Sequence, residues 1–404
     1  MDEQIMGEQF IYDLCIVGAG MFGSAAARHA STDPSIKVCL VGPAEPTTPE
    51  ERSRRSFFGA HYDEGRITRV LDAVPACQIL AKHSIGRLRE LEEVSGMSFY
   101  NPVGCIFMGG KNSNYMTEID LAGRAEKVPL VYYHDENELR TKYPYLRMKN
   151  DECAILDENG AGYISPRKLV IAQKKVAKSQ GCDVIENEVK EIISHSIHEV
   201  KTVSKGTIHA KKILIATGAF TGFIHVDDLK PIALERLRRT VALLHISKEE
   251  AEKLRSMPSV IRHDERLVGA YILPPIKYPD GEYYIKFGPS GKLKNEEINS
   301  LEEMKEWYLL NGNEDLLKTH LKFVTELFPK IKLSNVETMS CACCYSLSGL
   351  PYIDKISPTV TVACAGNGKG AKFSDEVGRI AAKLSLTGEW DSEIPKEKFK
   401  VIFQ

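Results

Sequence analysis

A short glycine-rich segment near the start of the chain has the residue types and spacing of a turn that binds a dinucleotide. The segment reads GxGxxG and consists of Gly18, Ala19, Gly20, Met21, Phe22 and Gly23. In such a turn the first glycine permits a tight bend, the second lets the backbone approach a pyrophosphate, and the third lets a helix pack closely on a strand. The N-terminus of that helix offers N–H groups and a positive dipole end to phosphate oxygens. We therefore predict a dinucleotide site; the alternative is a strand-to-helix corner without a ligand.

A second glycine-rich loop lies near the other end of the chain, between an apolar run and a predicted helix. Its residues are Gly366, Asn367, Gly368, Lys369 and Gly370, and Lys372 follows two positions later. Backbone N–H groups in such a loop, together with the next helix N-terminus, stabilise a developing negative charge, as on the pyrimidine side of a reduced flavin. The alternative is a surface loop with two solvated lysines. Given the first motif, we favour the functional interpretation.

Three further cations stand where they can act on a bound molecule. Arg66 and Arg69 are three residues apart, and arginine is suited to bidentate recognition of carboxylates. The alternative for this pair is a solvated basic face. Lys286 lies in the aromatic and apolar run YYIKFG. If its side chain points inward, it is a buried cation beside a cofactor, where it attracts oxygen or superoxide; otherwise it points to solvent.

Three cysteines within four residues form the last candidate group. Cys341, Cys343 and Cys344 directly precede Tyr345, and no histidine is nearby. Their spacing suits no tetrahedral site, so we predict no metal. They are either buried, inert thiols or include one thiolate that bonds covalently to a cofactor, and spacing alone leaves both interpretations open.

The elements that must position these residues follow from the apolar runs. Strands are predicted at residues 14–17, 37–41, 103–108, 182–185, 212–219 and 360–364, with a strand pair at 189–208 and only strands over 236–292. Helices are predicted at residues 73–94, 167–180 and 374–386, with a helical region at 301–329. This order predicts a nucleotide-binding domain formed by residues 1–95, 150–225 and 338–404, and a substrate domain formed by 96–149 and 226–337. We expect the ligand to lie between the two domains.

Composition excludes several classes of partner. The chain has 404 residues, 43% of them hydrophobic and 27% charged, as in an ordinary enzyme. A net charge of −2 gives no electrostatic case for nucleic acid or an anionic membrane. The polar N-terminus does not read as a signal peptide, and ten scattered cysteines suit reduced thiols. We expect a cytoplasmic enzyme that is a monomer or a weak homo-oligomer.

In the order of its motifs, the chain resembles the FAD-dependent amine oxidases of the D-amino-acid-oxidase superfamily, in the branch of the sarcosine, N-methyltryptophan and pipecolate oxidases. The resemblance covers nearly the whole chain and rests on GAGMFG at 18–23, HYDEGRITR at 61–69, ILIATGAF at 213–220, YIKFG at 284–288, and the blocks at 343–356 and 365–374. It implies an α/β fold in which a Rossmann-like FAD-binding domain is interleaved with a β-rich α+β substrate domain.

The resemblance also implies roles for individual residues. Cys343 matches a cysteine that holds the flavin covalently through its 8α-methyl carbon. Arg69 and Lys372 match the pair that binds the substrate carboxylate. Lys286 matches the lysine that activates oxygen.

Three other positions match residues near the flavin and the substrate. Arg66 matches an arginine stacked near the flavin ring, and His61 matches the first member of a His-His pair. Tyr345 matches a tyrosine at the substrate pocket.

Some positions depart from the family pattern. Tyr62 replaces the second histidine, and Ser290 replaces a histidine at the pocket rim. Ser348, Gly349 and Leu350 replace Thr-Pro-Asp, and Gly42 stands where an acidic residue holds the ribose, so that Glu45 or backbone and water must serve instead. Flavin and carboxylate positions are therefore kept, whereas positions in the pocket wall are not.

The reaction implied is oxidation of secondary amino acids, N-substituted or cyclic. Hydride passes from the substrate to the flavin, the resulting imine hydrolyses, and O2 reoxidises the flavin to give H2O2. The alternatives are a flavin-dependent amino-acid dehydrogenase with another acceptor, a nicotinamide-dependent dehydrogenase, and a flavin-binding sensor without turnover. A nicotinamide enzyme gives no reason for the cysteine block or for the second glycine-rich loop.

Overall fold

The computed structural model describes residues 10–227, 229–264, 269–289 and 296–404. The departure noted at Ser290 lies outside these residues. In chain order the strands are β1 Ile11–Tyr12, β2 Leu14–Val17, β3 Val38–Val41, β4 Arg66–Thr68, β5 Tyr100–Asn101, β6 Cys105–Gly110, β7 Leu130–Tyr133, β8 Glu152–Asp157, β9 Gly162–Ile164, β10 Asp183–Ile185, β11 Val189–Ile193, β12 His198–Thr202, β13 Thr207–Ala210, β14 Ile213–Ile215, β15 His225–Val226, β16 Leu234–Ile246, β17 Ser259–Arg262, β18 Ala270–Ile272, β19 Ile276–Lys277, β20 Tyr283–Pro289, β21 Asn335–Ser346, β22 Tyr352–Lys355 and β23 Val360–Cys364. The α-helices are α1 Met21–Ala30, α2 Pro49–Arg54, α3 Pro75–Gly86, α4 Leu88–Ser95, α5 Asn114–Ala125, α6 Glu136–Lys142, α7 Pro166–Ser179, α8 Lys248–Lys253, α9 Leu301–Leu309, α10 Leu317–Leu327 and α11 Gly370–Thr387.

A six-stranded sheet holds both ends of the chain together. Its order is β10-β3-β2-β14-β23-β22, and all neighbours are parallel except β22 and β23. Alternate residues of β2 face opposite layers, as the two-residue period of a strand requires. Leu14 and Ile16 pack in the core beneath α1, α3, α7 and α11, whereas Cys15 and Val17 pack on the other side against the sheet built from β11, β12 and β13. Burial on both faces explains why these strands are continuous apolar runs.

The second large sheet of the structure has nine strands. Its order is β21-β16-β20-β18-β17-β6-β8-β7, with β19 paired beside β20. The long antiparallel ladder between β16 and β21 runs from Leu234↔Ser346 to His245↔Asn335. Helices α6, α8 and α10 contribute apolar residues to the core on this sheet. The ladder carries the cysteine block on one strand, so the sheet places those side chains.

Helix α11 is anchored to the scaffold by a buried carboxylate. Asp375 accepts hydrogen bonds from Arg28 of α1 at 2.5 Å and from Gln173 of α7 at 3.0 Å. Arg87, between α3 and α4, donates to the same carboxylate at 2.6 Å. The hydrogen bond and charge of His29, followed by the charges of Arg28 and Arg87, hold the pKa of Asp375 well below its usual value, although burial acts in the opposite direction. Asp375 therefore joins α11 to α1, to α7 and to the junction between α3 and α4.

The structure differs from the predicted elements at several places. The helix predicted over residues 73–94 is broken at Arg87, whose side chain turns to α11. The strand-only prediction for 236–292 was wrong, because Ser247 caps a polar helix, α8. The pair predicted at 189–208 is three strands, since β13 follows β11 and β12.

The division into two domains stays a prediction. Within it, β8 was assigned to the nucleotide-binding domain, and the structure pairs this strand with β6 and β7 in the nine-stranded sheet. None of the helices in the described ranges is long and apolar enough to cross a membrane.

Candidate functional site

The first glycine-rich turn is shaped by backbone contacts that exclude side chains. Gly18 has a φ of +112°, and a Cβ there would lie 2.4 Å from the carbonyl oxygen of Ala216. A Cβ at Gly23 would lie 1.8 Å from the carbonyl oxygen of Gly18. Helix α1 begins directly after Gly20, and no described side chain caps its first turn. Its N–H groups are therefore available to a phosphate.

Packing leaves no room at Gly42 for the acidic side chain that would hold the ribose. A Cβ at Gly42 would lie 2.6 Å from the backbone nitrogen of Ala19. An acidic side chain there would collide with the glycine-rich turn itself. Glu45, the other candidate, forms a bidentate ion pair with Arg167 at 2.7 and 2.9 Å.

A cavity of about 1350 Å³, including its open mouth, begins at this turn and reaches the cysteine block. The predicted site residues that line it are Gly18, Ala19, Gly20, Met21, Phe22, His61, Arg66, Cys343, Gly366, Gly368 and Gly370. The other predicted site residues, all within the described ranges, lie behind or beside this lining: Gly23, Arg69, Lys286, Tyr345, Asn367, Lys369 and Lys372.

The second glycine-rich loop reaches the same cavity. Ala365, Asn367 and Gly368 have φ values of +63°, +51° and +69°, which turn the backbone sharply after β23. The Asn367 side chain donates to the Ala365 carbonyl at 2.8 Å and accepts from the backbone N–H of Ser346 at 3.0 Å. Asn367 therefore fastens the loop to β21. Helix α11 begins at Gly370 rather than at the predicted Ser374 and, among the described residues, has no side-chain cap.

Four consecutive residues of strand β21, 341–344, line the cavity. Cys341, Cys343 and Tyr345 share one face of the strand, whereas the Cys344 side chain packs into the core on the other face. Burial and the neighbouring Cys341 raise the pKa of Cys343 to about 11, so this thiol is protonated at neutral pH. The Tyr345 hydroxyl accepts a hydrogen bond from Arg239 at 3.3 Å.

Lys286 lies in a buried charge cluster behind the cavity wall. Its side chain has no exposed surface and donates to the Asp63 carboxylate and, at 3.0 Å, to the Gly65 carbonyl. Arg66 donates to the same carboxylate, and the Tyr278 hydroxyl donates to it at 2.9 Å. Burial and the nearby Arg66 lower the pKa of Lys286 well below its usual value.

Arg69 and Lys372, the two cations predicted to bind a carboxylate, both contact Asp72, and a third cation, Lys369, contacts it as well. Lys372 and Lys369 each donate to Asp72 at 2.7 Å, and Arg69 lies 3.3 Å from it. Arg69 also donates to the Leu71 carbonyl. Burial opposes ionisation of Asp72, but Lys372, Arg69 and Lys369 together hold its pKa below the usual value. Burial and Arg69 lower the pKa of Lys372 to about 8.

His61 is a neutral side chain at ordinary pH. Burial, followed by the positive charges of Lys174 and Arg167, lowers its pKa to about 3. Its ring packs edge-on against Tyr62 at 4.7 Å, and both residues line the cavity. His61 therefore contributes shape and a neutral imidazole to this wall.

Sequence reasoning missed two acidic residues, Asp63 and Asp72. Each lies three residues from an arginine that the sequence did single out, Arg66 and Arg69 respectively. That spacing is a signal for local ion pairs. The contacts from Lys286 and Lys372, however, bridge 223 and 300 residues of sequence.

Comparisons with known proteins agree with this geometry. A family model described as FAD dependent oxidoreductase matches residues 13–384. Monomeric sarcosine oxidase from Bacillus sp. (strain B-0618) is 23% identical over 403 residues, which are 95% of this chain and 94% of that protein. N-methyl-L-tryptophan oxidase from Yersinia pestis (strain Pestoides F) is 24% identical over 211 residues, 52% of this chain and 54% of that protein. The solved structure of L-proline dehydrogenase from P. horikoshii covers 97% of both chains with a TM-score of 0.75 and 19% identity, which confirms the predicted fold class.

Proposed function

Because this chain belongs to the family of FAD dependent oxidoreductases, we propose that it is an amine oxidase that acts on secondary amino acids, N-substituted or cyclic. The observation that carries the proposal is a convergence on one cavity. Two glycine-rich turns, Cys343 and Arg66 line it, and Lys369 and Lys372 directly adjoin lining residues of the second loop. The two curated relatives described above carry names that specify N-methylated amino acids, which supports this substrate class.

The residues at both ends of the cavity fit FAD. The uncapped first turn of α1 and the close glycine contacts around it suit a pyrophosphate, and the loop at residues 366–370 suits the pyrimidine end of the flavin. When bound, FAD supplies the hydride acceptor for oxidation of the carbon beside the amine nitrogen. Helix α11, which starts at Gly370, adds the positive end of its dipole there.

The Asp72 cluster is the proposed receptor for the substrate carboxylate. It brings Arg69, Lys369 and Lys372 against one carboxylate, so two positive charges remain in excess when all four groups are ionised. A second carboxylate, that of the substrate, compensates this excess with charge-assisted hydrogen bonds. The same cations lower the pKa of a neighbouring substrate amine and so favour the neutral amine, which must be reached before hydride leaves.

The experiment that tests the function is an anaerobic screen. We expect a secondary amino acid to bleach the absorbance of the oxidised flavin, and the corresponding methyl ester, which lacks the carboxylate charge, to do so much more slowly. If no secondary amine of either kind bleaches the flavin, the proposal fails. A purified protein without yellow colour would favour a nicotinamide enzyme instead.

We expect Lys286→Met to slow reoxidation of the reduced enzyme by O2. A buried ammonium beside the cofactor stabilises the negative charge that develops on oxygen, and losing such a group costs about 100-fold in rate. Stopped-flow mixing of reduced enzyme with oxygenated buffer measures this rate, and H2O2 is the expected product. Lys277→Met, at an exposed position on the neighbouring β19, is the control. Equal rates for Lys286→Met and wild type would show that Lys286 does not activate oxygen and would favour another electron acceptor.

We propose that the flavin is attached covalently through Cys343, whose side chain lines the cavity. Acid precipitation of the wild-type protein should leave the yellow colour in the pellet, whereas Cys343→Ser should release it into the supernatant. Cys344→Ser is the matched control, because this neighbour lies on the opposite face of β21. Colour in the wild-type supernatant would show a non-covalent flavin. None of the ten cysteines, all of which lie in the part of the chain that the structure describes, forms a disulfide, which supports a reducing compartment such as the cytoplasm.

A further inference from the structure

Asp63 forms the centre of the buried cluster that contains Lys286. Its side chain is 1% exposed and receives hydrogen bonds from Lys286, Arg66 and Tyr278. We propose that Asp63 is the counter-ion that keeps the Lys286 ammonium charged and fixes its direction, and is thus a positioning residue for reoxidation of the enzyme. This inference rests on the role of Lys286 in the proposed function.

The surroundings of Lys286 make a counter-ion necessary. Its ammonium is fully buried, and Arg66, which pairs with the same carboxylate, adds a like charge. A buried ammonium beside a second cation loses its proton unless an anion compensates it. Asp63 is the carboxylate in direct contact, and the Gly65 carbonyl accepts a second hydrogen bond at 3.0 Å.

The other groups that face Lys286 are phenols and thiols. On β18, the Tyr271 ring lies 5.7 Å from Nζ, and burial raises the pKa of this phenol above its usual value. Burial also raises the pKa of Tyr278, which donates to Asp63. On β21, Cys341 and Cys343 contribute thiols, and that of Cys343 is protonated because its pKa is about 11. None of these groups substitutes for a carboxylate.

The geometry also fixes where the ammonium points. Lys286 enters the cluster from β20, whereas Asp63 and Gly65 belong to the segment that leads into β4. Arg66 lines the cavity and is held by the same carboxylate, as well as by the Ala60 carbonyl at 2.8 Å. Asp63 therefore sets the positions of two cations relative to the cavity at once.

The test compares reoxidation by O2 across pH 6–9 in six flavin-loaded proteins. The proteins are wild type, Lys286→Met, Asp63→Asn, the double variant, Tyr278→Phe and Asp63→Glu. Because burial and Arg66 lower the pKa of Lys286, we expect the wild-type rate to fall as pH rises. The Asp63→Asn rate should fall to that of Lys286→Met at a lower pH, and should be at least tenfold below wild type where the two profiles differ most. The double variant should be no slower than Lys286→Met, because both changes remove the same charge. Tyr278→Phe, which keeps the carboxylate, should retain the wild-type profile, and Asp63→Glu should restore much of the rate.

Two outcomes separate the failure of this inference from that of the proposed function. If Lys286→Met is slow but Asp63→Asn follows the wild-type profile, Asp63 is not the counter-ion. If Lys286→Met reoxidises normally, the oxygen role of Lys286 fails and the inference fails with it. The rate of anaerobic flavin reduction and the urea unfolding midpoint show whether Asp63→Asn has kept its fold.

A readout independent of turnover is the protonation of Lys286 itself. In flavin-loaded protein labelled with ¹³C at the lysine ε-carbon, the Lys286 signal is identified by its loss in Lys286→Met. In wild type we expect this signal to titrate at a lower pH than that of an exposed lysine. In Asp63→Asn it should titrate at a still lower pH or show the neutral form throughout. A signal that titrates at the same pH in Asp63→Asn and in wild type would overturn the inference.

Discussion

Replacing Gly18 by alanine should give a protein that purifies without flavin. The residue has a φ of +112°, and the new Cβ would lie 2.4 Å from the carbonyl oxygen of Ala216, the residue that follows β14. Left-handed backbone strain and the steric clash together should lower the free energy of unfolding by about 2–5 kcal/mol. The ratio of flavin to protein absorbance measures the first effect, and urea unfolding measures the second.

Gly86→Ala is the matched control for this substitution. Gly86 is the last residue of α3, and no described atom lies within 4 Å of a Cβ added there. Alanine favours helix over glycine by up to about 1 kcal/mol, so we expect this variant to bind flavin fully and to be at least as stable as wild type. Full flavin content in Gly18→Ala would show that the first turn does not hold the pyrophosphate.

Substitutions on the two sides of the Asp72 cluster should change carboxylate affinity in opposite directions. Arg69→Ala removes a cation and should weaken the binding of a simple carboxylate such as acetate by about 10–100-fold, the value of one or two charge-assisted hydrogen bonds. Asp72→Asn removes the internal competitor and should strengthen binding on the order of tenfold. Titration of the flavin spectrum at pH 6 measures both constants. Changes in the same direction for both variants would place the carboxylate elsewhere.

The same cluster gives the wild-type protein a pH dependence. The pKa of Lys372 is about 8, so its ammonium is charged below this pH and neutral above it. Anion affinity should therefore be constant at lower pH and fall as pH rises through 8, by up to about tenfold per pH unit. Lys372→Met should bind more weakly and lack this decline.

The fold and the cofactor end of the site were predictable because their signals are local. The apolar run before Gly18 and the spacing of the glycines specify a strand, a turn and a helix within twenty residues, and the structure places them so. The break of the predicted helix at Arg87 was missed, although Gly86, the last residue of α3, is a local signal for it. The contact from Arg87 to Asp375, which spans 288 residues, was not predictable from local sequence. The start of α11 was predicted four residues late, because no capping side chain marks its beginning at Gly370.

The charged part of the site was predictable only by residue type. Arg66, Arg69, Lys286 and Lys372 were singled out as cations, but sequence spacing does not show which acid each one meets. Asp63 and Asp72 each collect cations from elements far apart in the chain. These ion pairs form only when the two sheets and α11 have assembled, so no periodicity in the sequence predicts them.

Lys372 and Asp375 are three residues apart on α11, and this spacing has a consequence for how the enzyme tolerates ligands of different size. Asp375 accepts hydrogen bonds from α1, α7 and Arg87, which hold the turn that carries Lys372 against these elements. Under the proposed function, the carboxylate of every ligand therefore meets a side chain whose backbone is held in place. Differences in the rest of the ligand must then be accommodated on the opposite side, by residues of the nine-stranded sheet. We expect substitutions that change substrate preference to lie in this sheet.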